Sequence, residues 1–93
     1  MKSQKVWFVT GASKGLGLSL VKELLAQGYP VVATSRTKRA LEQQIGENEN
    51  FLPLEVDITN DVDVTRAVLS AIDYFGRIDV LVNNAGYGQT GAL

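Results

Sequence analysis

Short apolar runs alternate along the chain with longer segments in which apolar residues recur every three or four positions. Each run is rich in residues that favour β-structure, and such nearly unbroken runs are typical of strands covered on both faces. We therefore predict four strands, at residues 6–9, 30–34, 51–56 and 79–82. The third run is interrupted by Pro53, which favours a position at the edge of a sheet.

The segments between these runs have the periodicity of amphipathic helices. In the first segment, leucines recur every fourth residue along one stripe, namely Leu16, Leu20 and Leu24. This helix is expected to stop at Gly28, and further helices are predicted at residues 37–46 and 59–75. The apolar face predicted for the third helix consists of Val64, Val68, Ile72 and Phe75.

The resulting order of elements is βαβαβαβ, with no internal repeat and no linker. Alternation of this kind implies a parallel sheet with right-handed crossovers and helices on both faces. We predict an α/β fold of the Rossmann type, a doubly wound parallel sheet with strand order 3-2-1-4. This order places a ligand site at the switch point between the first and fourth strands. Because such a sheet normally continues and residues 86–93 resemble a loop, we expect residues 1–93 to be the N-terminal part of a longer protein.

Composition excludes several classes of function. The chain has 93 residues, of which 45% are hydrophobic and 20% charged, as in one small globular domain. Its net charge of -1 gives no basic excess, so neither nucleic acid nor an anionic membrane is expected as a partner. Cysteine and histidine are absent, which excludes disulfides, Ser-His-Asp triads and Cys or His metal sites. With no apolar run near the ~20 residues that span a bilayer and no export signal, we predict a cytoplasmic protein.

The strongest chemical signal is the sequence TGASKGLG at residues 10–17, between the first strand and the first helix. Glycines let the chain turn sharply and approach a diphosphate, to which the helix N-terminus offers free N–H groups and a positive dipole end. The spacing is GxxxGxG, and a P-loop does not fit because Leu16 lies five residues after Gly11. A glycine-rich turn that binds no ligand is the alternative interpretation.

This turn resembles the cofactor-binding TGxxxGxG motif of the classical short-chain dehydrogenase/reductase family. Two further motifs follow in the family's order: Asp57 ends the third strand, and NNAG follows the fourth strand at residues 83–86. The resemblance covers essentially all 93 residues. It implies an oxidoreductase that transfers a hydride between a nicotinamide dinucleotide and a small carbonyl or alcohol substrate. The whole protein is expected to be a homo-oligomer.

The same resemblance assigns roles to the later motifs. It places Asp57 beside the adenine, gives Asn83 a structural role with backbone groups across the sheet, and places Asn84 and the two residues after it along the cofactor ribose. Asp57 has an alternative interpretation, because a short polar side chain before a helix can simply cap it.

Charge at the end of the second strand favours NADP over NAD. A site for NAD places a carboxylate there, about 20 residues past the glycines. Instead, Ser35 lies 18 residues past Gly17 and is followed by Arg36, which can bind a 2′-phosphate in bidentate fashion. Lys14 in the glycine turn adds a second cation. Alternatively, the basic residues near Arg36 form only a solvated helix start, although cations there oppose the helix dipole.

The sequence lacks the catalytic residues that are typical of this family. The family's catalytic Tyr-x-x-x-Lys pair is missing, since none of the three tyrosines is followed by lysine four residues on, and the pair is expected beyond Leu93. The resemblance therefore implies that residues 1–93 are an NAD(P)-binding Rossmann domain, truncated before the catalytic half and expected to be inactive alone. The predicted cofactor-binding residues are Gly11, Ser13, Lys14, Gly15, Leu16, Gly17, Ser35, Arg36, Asp57, Ile58, Asn84, Ala85 and Gly86.

Two other functions compete with this interpretation. A stand-alone nucleotide-binding module without catalysis would need a self-contained ending, which the glycine-rich tail does not offer. A methyltransferase that uses S-adenosylmethionine would favour an acidic residue after the second strand, and the Ser35-Arg36 pair argues against it.

Overall fold

The computed structural model describes residues 4–13 and 15–84, so the predictions for Lys14, Ala85 and Gly86 lie outside the described residues. All seven predicted elements are present, and their bounds differ by at most two residues from those that the sequence predicted. In chain order they are β1 (Trp7–Val9), α1 (Gly15–Ala26), β2 (Val31–Ser35), α2 (Lys38–Ile45), β3 (Phe51–Glu55), α3 (Asp61–Phe75) and β4 (Val80–Val82).

The four strands form one parallel sheet in the order β3-β2-β1-β4, which confirms the predicted Rossmann-type topology. Pro53 belongs to β3, at one edge of the described sheet, and lies opposite Ala33 of β2. At an edge strand, the missing N–H of proline removes no hydrogen bond between internal strands. Val9 pairs with Val82, so β1 and β4 end side by side at their carboxyl ends. The predicted switch point therefore lies at the carboxyl ends of β1 and β4.

Alternating strand residues send their side chains to two apolar layers, one on each face of the sheet. On one face, α1 and α2 cover β1 and β2 through a fully buried set consisting of Val9, Val21, Val31, Ala33 and Leu41. On the other face, α3 covers Phe8 and Val32 with Ala67 and Ala71. These two layers hold the strand ends in place beneath the loops of the switch point.

The prediction that Leu16 belongs to the buried stripe of α1 is wrong, because its side chain is 82% exposed. The helix meets the sheet through Gly17, Val21 and Leu24 instead. Eight residues of α-helix turn through two full turns and about 80° more, so Leu16 is displaced sideways from Leu24. A spacing of four residues therefore drifts off the core face, and Leu16 is left in solvent beside the glycine turn.

Candidate functional site

The turn after β1 is tied to the strands on both of its sides. The Thr10 N–H donates to the Val82 carbonyl oxygen at 3.0 Å, and the Ala12 N–H donates to the Thr34 carbonyl oxygen at 2.9 Å. The chain therefore leaves the sheet between the ends of β2 and β4, and α1 begins at Gly15 directly above them. The start of a helix is a place where backbone N–H groups lack partners and point outward.

Two glycines of the turn adopt a backbone conformation that other residues avoid. Gly11 has a φ of 62° and Gly15 a φ of 66°, both in the left-handed region. A Cβ at Gly15 would meet no atom within 4 Å beyond its immediate neighbours in the described residues, so glycine is needed there for its backbone angle and not for space. None of the other described residues therefore blocks the surface beside Gly15.

Gly17 is needed for the opposite reason, a very close approach between α1 and the loops. A Cβ at this buried position would lie 2.7 Å from the Gly11 carbonyl oxygen and 2.7 Å from Asn84 Nδ2. Asn84 Nδ2 in turn donates to the Gly11 carbonyl oxygen at 3.0 Å. The structure thus brings Asn84 to Gly11 and Gly17, two other predicted site residues from which it is far away in the sequence.

The two asparagines after β4 have different partners from those expected. The bond to a backbone group across the sheet is made by Asn84 and not by Asn83, whose Oδ1 accepts from the Thr10 hydroxyl at 3.3 Å. Thr10 and Asn83 belong to neighbouring strand ends, so this pair also links β1 to β4. Asn83 is exposed and Asn84 is half-buried, which matches the deeper position of the second side chain.

Asp57 forms a tight turn of its own and is not the cap of α3. Its Oδ1 accepts from the Thr59 hydroxyl at 2.6 Å and from the Thr59 N–H at 3.0 Å. These bonds, the hydroxyl first, hold the pKa of Asp57 below its usual range, and the charge of Arg36 adds to the effect. The capping residue of α3 is Asn60, whose Oδ1 accepts from Val62 N–H and Asp63 N–H. The interpretation of Asp57 as only a helix cap is therefore wrong.

The carboxylate of Asp57 retains capacity for a ligand. Its Oδ2 accepts no hydrogen bond from residues 4–13 or 15–84, and the side chain is exposed beside Ile58, which is itself 38% exposed. An ionised acceptor and an apolar surface are thus adjacent at the end of β3.

The end of β2 has a different arrangement. Ser35 is the last residue of the strand and is 8% exposed, and its hydroxyl accepts from the Thr37 N–H at 3.4 Å. Arg36 is exposed, and its guanidinium makes no hydrogen bond or salt bridge with any residue of the described ranges. Glu55 reaches from β3 and accepts from the Lys38 N–H at 3.0 Å.

Glu55 is not among the site residues that the sequence predicted. The signal that identifies it is the parallel register of β2 and β3, in which Ser35 and Glu55 are direct partners. An acidic residue at the end of β3 therefore lies beside the basic residues that follow β2.

Other features of the described part of the chain involve no predicted site residue. An open groove of about 650 Å³ runs along β3 and includes Glu42, Pro53 and Tyr74 in its lining, none of them a predicted site residue. Within residues 4–13 and 15–84, no three His, Cys, Asp or Glu side chains are grouped so that they could hold a metal ion. Among the helices described, none is long and apolar enough to cross a membrane.

A parallel sheet in the order 3-2-1-4 with a glycine turn at its switch point defines the Rossmann class of α/β domains. The model of the short chain dehydrogenase family matches residues 5–93, and the chain belongs to that family. The resemblance found in the sequence is therefore confirmed, and with it the nicotinamide dinucleotide as the cofactor of the family.

Similar proteins include an oxidoreductase and two solved structures that contain a nicotinamide cofactor. The chain is 42% identical over 91 residues to Oxidoreductase BOA17 of Botryotinia fuckeliana, covering 96% of this chain and 33% of the relative. It matches the 3-ketoacyl-(acyl-carrier-protein) reductase of Brucella melitensis complexed with NADH, with a TM-score of 0.77, 36% identity, and coverage of 83% and 32%. It also matches the N-domain, with NADP, of a bacterial malonyl-CoA reductase, with a TM-score of 0.73, 35% identity, and coverage of 86% and 16%. The chain spans about one third of the length of the curated relatives it matches.

Proposed function

We propose that this chain is the NADP(H)-binding portion of a short-chain oxidoreductase that transfers a hydride between NADP(H) and a carbonyl or alcohol. The observation that supports it most is the contact of Gly11, Gly17 and Asn84 at the switch point. When bound, the nicotinamide would carry the hydride. The residues of this chain would hold and orient the cofactor.

The diphosphate would be held at the glycine turn. An anion fits the start of α1 because the free N–H groups and the dipole of the helix favour negative charge there. None of the other described residues blocks the surface beside Gly15, and Gly17 lets the helix approach the Gly11 carbonyl oxygen. The proposed diphosphate residues are Gly11, Ser13, Lys14, Gly15, Leu16 and Gly17.

The adenosine end would extend along the carboxyl ends of the other strands. Asp57 Oδ2 is available to accept from the adenine amino group, and Ile58 offers apolar surface to the ring. Asn84, with Ala85 and Gly86 after it, would line the ribose nearer the nicotinamide.

The preference for NADP would come from the end of β2. The structural relatives include one complexed with NADH and one with NADP, so the charge at this position is the basis for the choice. Arg36 is exposed and makes no hydrogen bond or salt bridge with the described residues, as expected of a side chain that binds a phosphate. Ser35 has no carboxylate that would repel the phosphate.

The experiment is titration of NADPH and NADH against the intact protein and its Arg36→Ala variant. Charge-assisted hydrogen bonds contribute about 1.5–3 kcal/mol, so the variant should bind NADPH roughly 10- to 100-fold more weakly. Its Kd for NADH should change by less than about twofold, because NADH has no 2′-phosphate. Lys22→Ala removes an exposed cation from α1 and serves as the control. Equal Kd values for both cofactors in the wild type would contradict the NADP preference.

The catalytic groups are proposed to lie outside residues 1–93. Hydride transfer needs a proton donor within about 3 Å of the substrate oxygen. The chain has no histidine or cysteine, and none of its tyrosines is followed by lysine four residues on. A cytoplasmic location and a homo-oligomeric whole protein remain predictions from the sequence.

A further inference from the structure

The N-terminus of α2 lacks the features that normally stabilise a helix start. Thr37 occupies the N-cap position in an extended conformation, but its side chain makes no capping hydrogen bond. The first turn contains Lys38 and Arg39 and no acidic residue. Cations at this end oppose the helix dipole, so this helix start needs an anion from elsewhere.

Glu55 supplies that anion from the neighbouring strand. It is the last residue of β3, directly opposite Ser35, and its Oε1 accepts from the Lys38 N–H at 3.0 Å. A carboxylate that accepts from a helix N–H makes a stronger bond than a neutral group does. Glu55 of β3 therefore caps the N-terminus of α2.

The same corner is where the proposed function places the 2′-phosphate, and the inference rests on that proposal. Arg36 lies two residues before Lys38, at the start of the same connection. Two anions, the Glu55 carboxylate and the phosphate, would then share the positive end of α2. We infer that Glu55 is a specificity-determining residue whose charge limits the preference for NADP(H) over NAD(H).

The expected effect is moderate because the corner is exposed to solvent. Glu55 is exposed, and so are Arg36 and Lys38. Repulsion between a carboxylate and a phosphate dianion several ångströms apart in such a setting changes an affinity by about three- to tenfold. The effect should shrink at high salt, since exposed charges are screened.

The test is the Glu55→Gln variant of the intact protein, titrated with NADPH and NADH at low and high salt. Glutamine keeps a side-chain carbonyl that can accept from the Lys38 N–H but carries no charge. The ratio of Kd for NADH to Kd for NADPH should rise about three- to tenfold at low salt and less at about 0.5 M salt. Glu47→Gln makes the same charge change in the loop beyond the other end of α2 and should leave the ratio unchanged.

Each outcome separates this inference from the proposed function. An unchanged or lower ratio in Glu55→Gln overturns the role of Glu55, whatever Arg36→Ala does. A raised ratio that persists at high salt also overturns it, because the cause would not be charge. If Glu55→Gln raises the ratio with the expected salt dependence but Arg36→Ala leaves NADPH binding intact, Glu55 has the inferred role and the proposed role of Arg36 is wrong.

Discussion

At the scale of single residues, Gly17 has no room for a side chain. Its missing side chain allows α1 to approach the turn so closely that a Cβ would lie 2.7 Å from the Gly11 carbonyl oxygen. That oxygen is backbone and already accepts from Asn84, so it cannot move aside without breaking this bond. The candidate site and the packing of α1 therefore depend on the same close contact, that between Gly17 and the Gly11 carbonyl oxygen.

Gly17→Ala should destabilise the protein by about 1–3 kcal/mol, the usual cost of overpacking a tight interior. It should also weaken binding of the dinucleotide, because the turn and α1 would be pushed apart. Urea unfolding monitored by circular dichroism measures the first effect. Ser19→Ala, at an exposed position of the same helix, should stay within about 0.5 kcal/mol of the wild type. Equal unfolding midpoints for Gly17→Ala and the wild type would contradict the close approach.

The glycine turn could be predicted from sequence because its signal is local. Gly11 and Gly15 lie within five residues of each other, between a strand and a helix, and the structure places both at positive φ. The contacts of Asn84 and Glu55 could not be predicted in this way. Each depends on which strands are neighbours and in what register, and a difference of one residue in the pairing would point the side chain to the other face.

At the scale of elements, the start of α3 shows how two nearby candidates divide their roles. Asp57 and Asn60 are both residue types that cap helices, and sequence alone favours neither. In the structure Asp57 bonds to Thr59 in a tight turn, and this turn places Asn60 at the N-cap of α3. The predicted helix start at residue 59 therefore moves to Asp61.

Asn60→Ala should lower the free energy of unfolding by about 1 kcal/mol, because two N–H groups of the first turn lose their acceptor. Asn60→Asp should retain most of the stability, since aspartate is an equally good N-cap and carries a favourable charge. Thermal or urea unfolding of both variants is the measurement. If aspartate loses as much stability as alanine, the side chain of residue 60 does not act as the cap.

At the scale of the whole molecule, the side of the described sheet beyond β4 is its least covered part. β4 pairs only with β1 among the described strands, and its Leu81 is 65% exposed. Leu81 pairs with Phe8, which lies in the layer beneath α3, so it belongs to the α3 side of the sheet. On α3 itself, Leu69 is 61% exposed and Ile72 is 43% exposed. The prediction that Ile72 belongs to the buried face of α3 is therefore wrong, and periodicity could not separate it from the half-buried Val68.

Residues 1–93 expressed alone should self-associate through this apolar side at concentrations on the order of tens of micromolar, because unpaired strand edges and large apolar patches favour association. Leu69→Lys and Leu81→Lys together should shift the chain towards monomer in sedimentation velocity. Tyr74→Lys is the matched control: its side chain is 55% exposed and lines the groove beside β3 at the opposite edge, so this substitution should leave association unchanged. A single sharp monomer boundary for the unsubstituted chain, with cooperative melting, would show that the exposed edge and its apolar surface are tolerated in water.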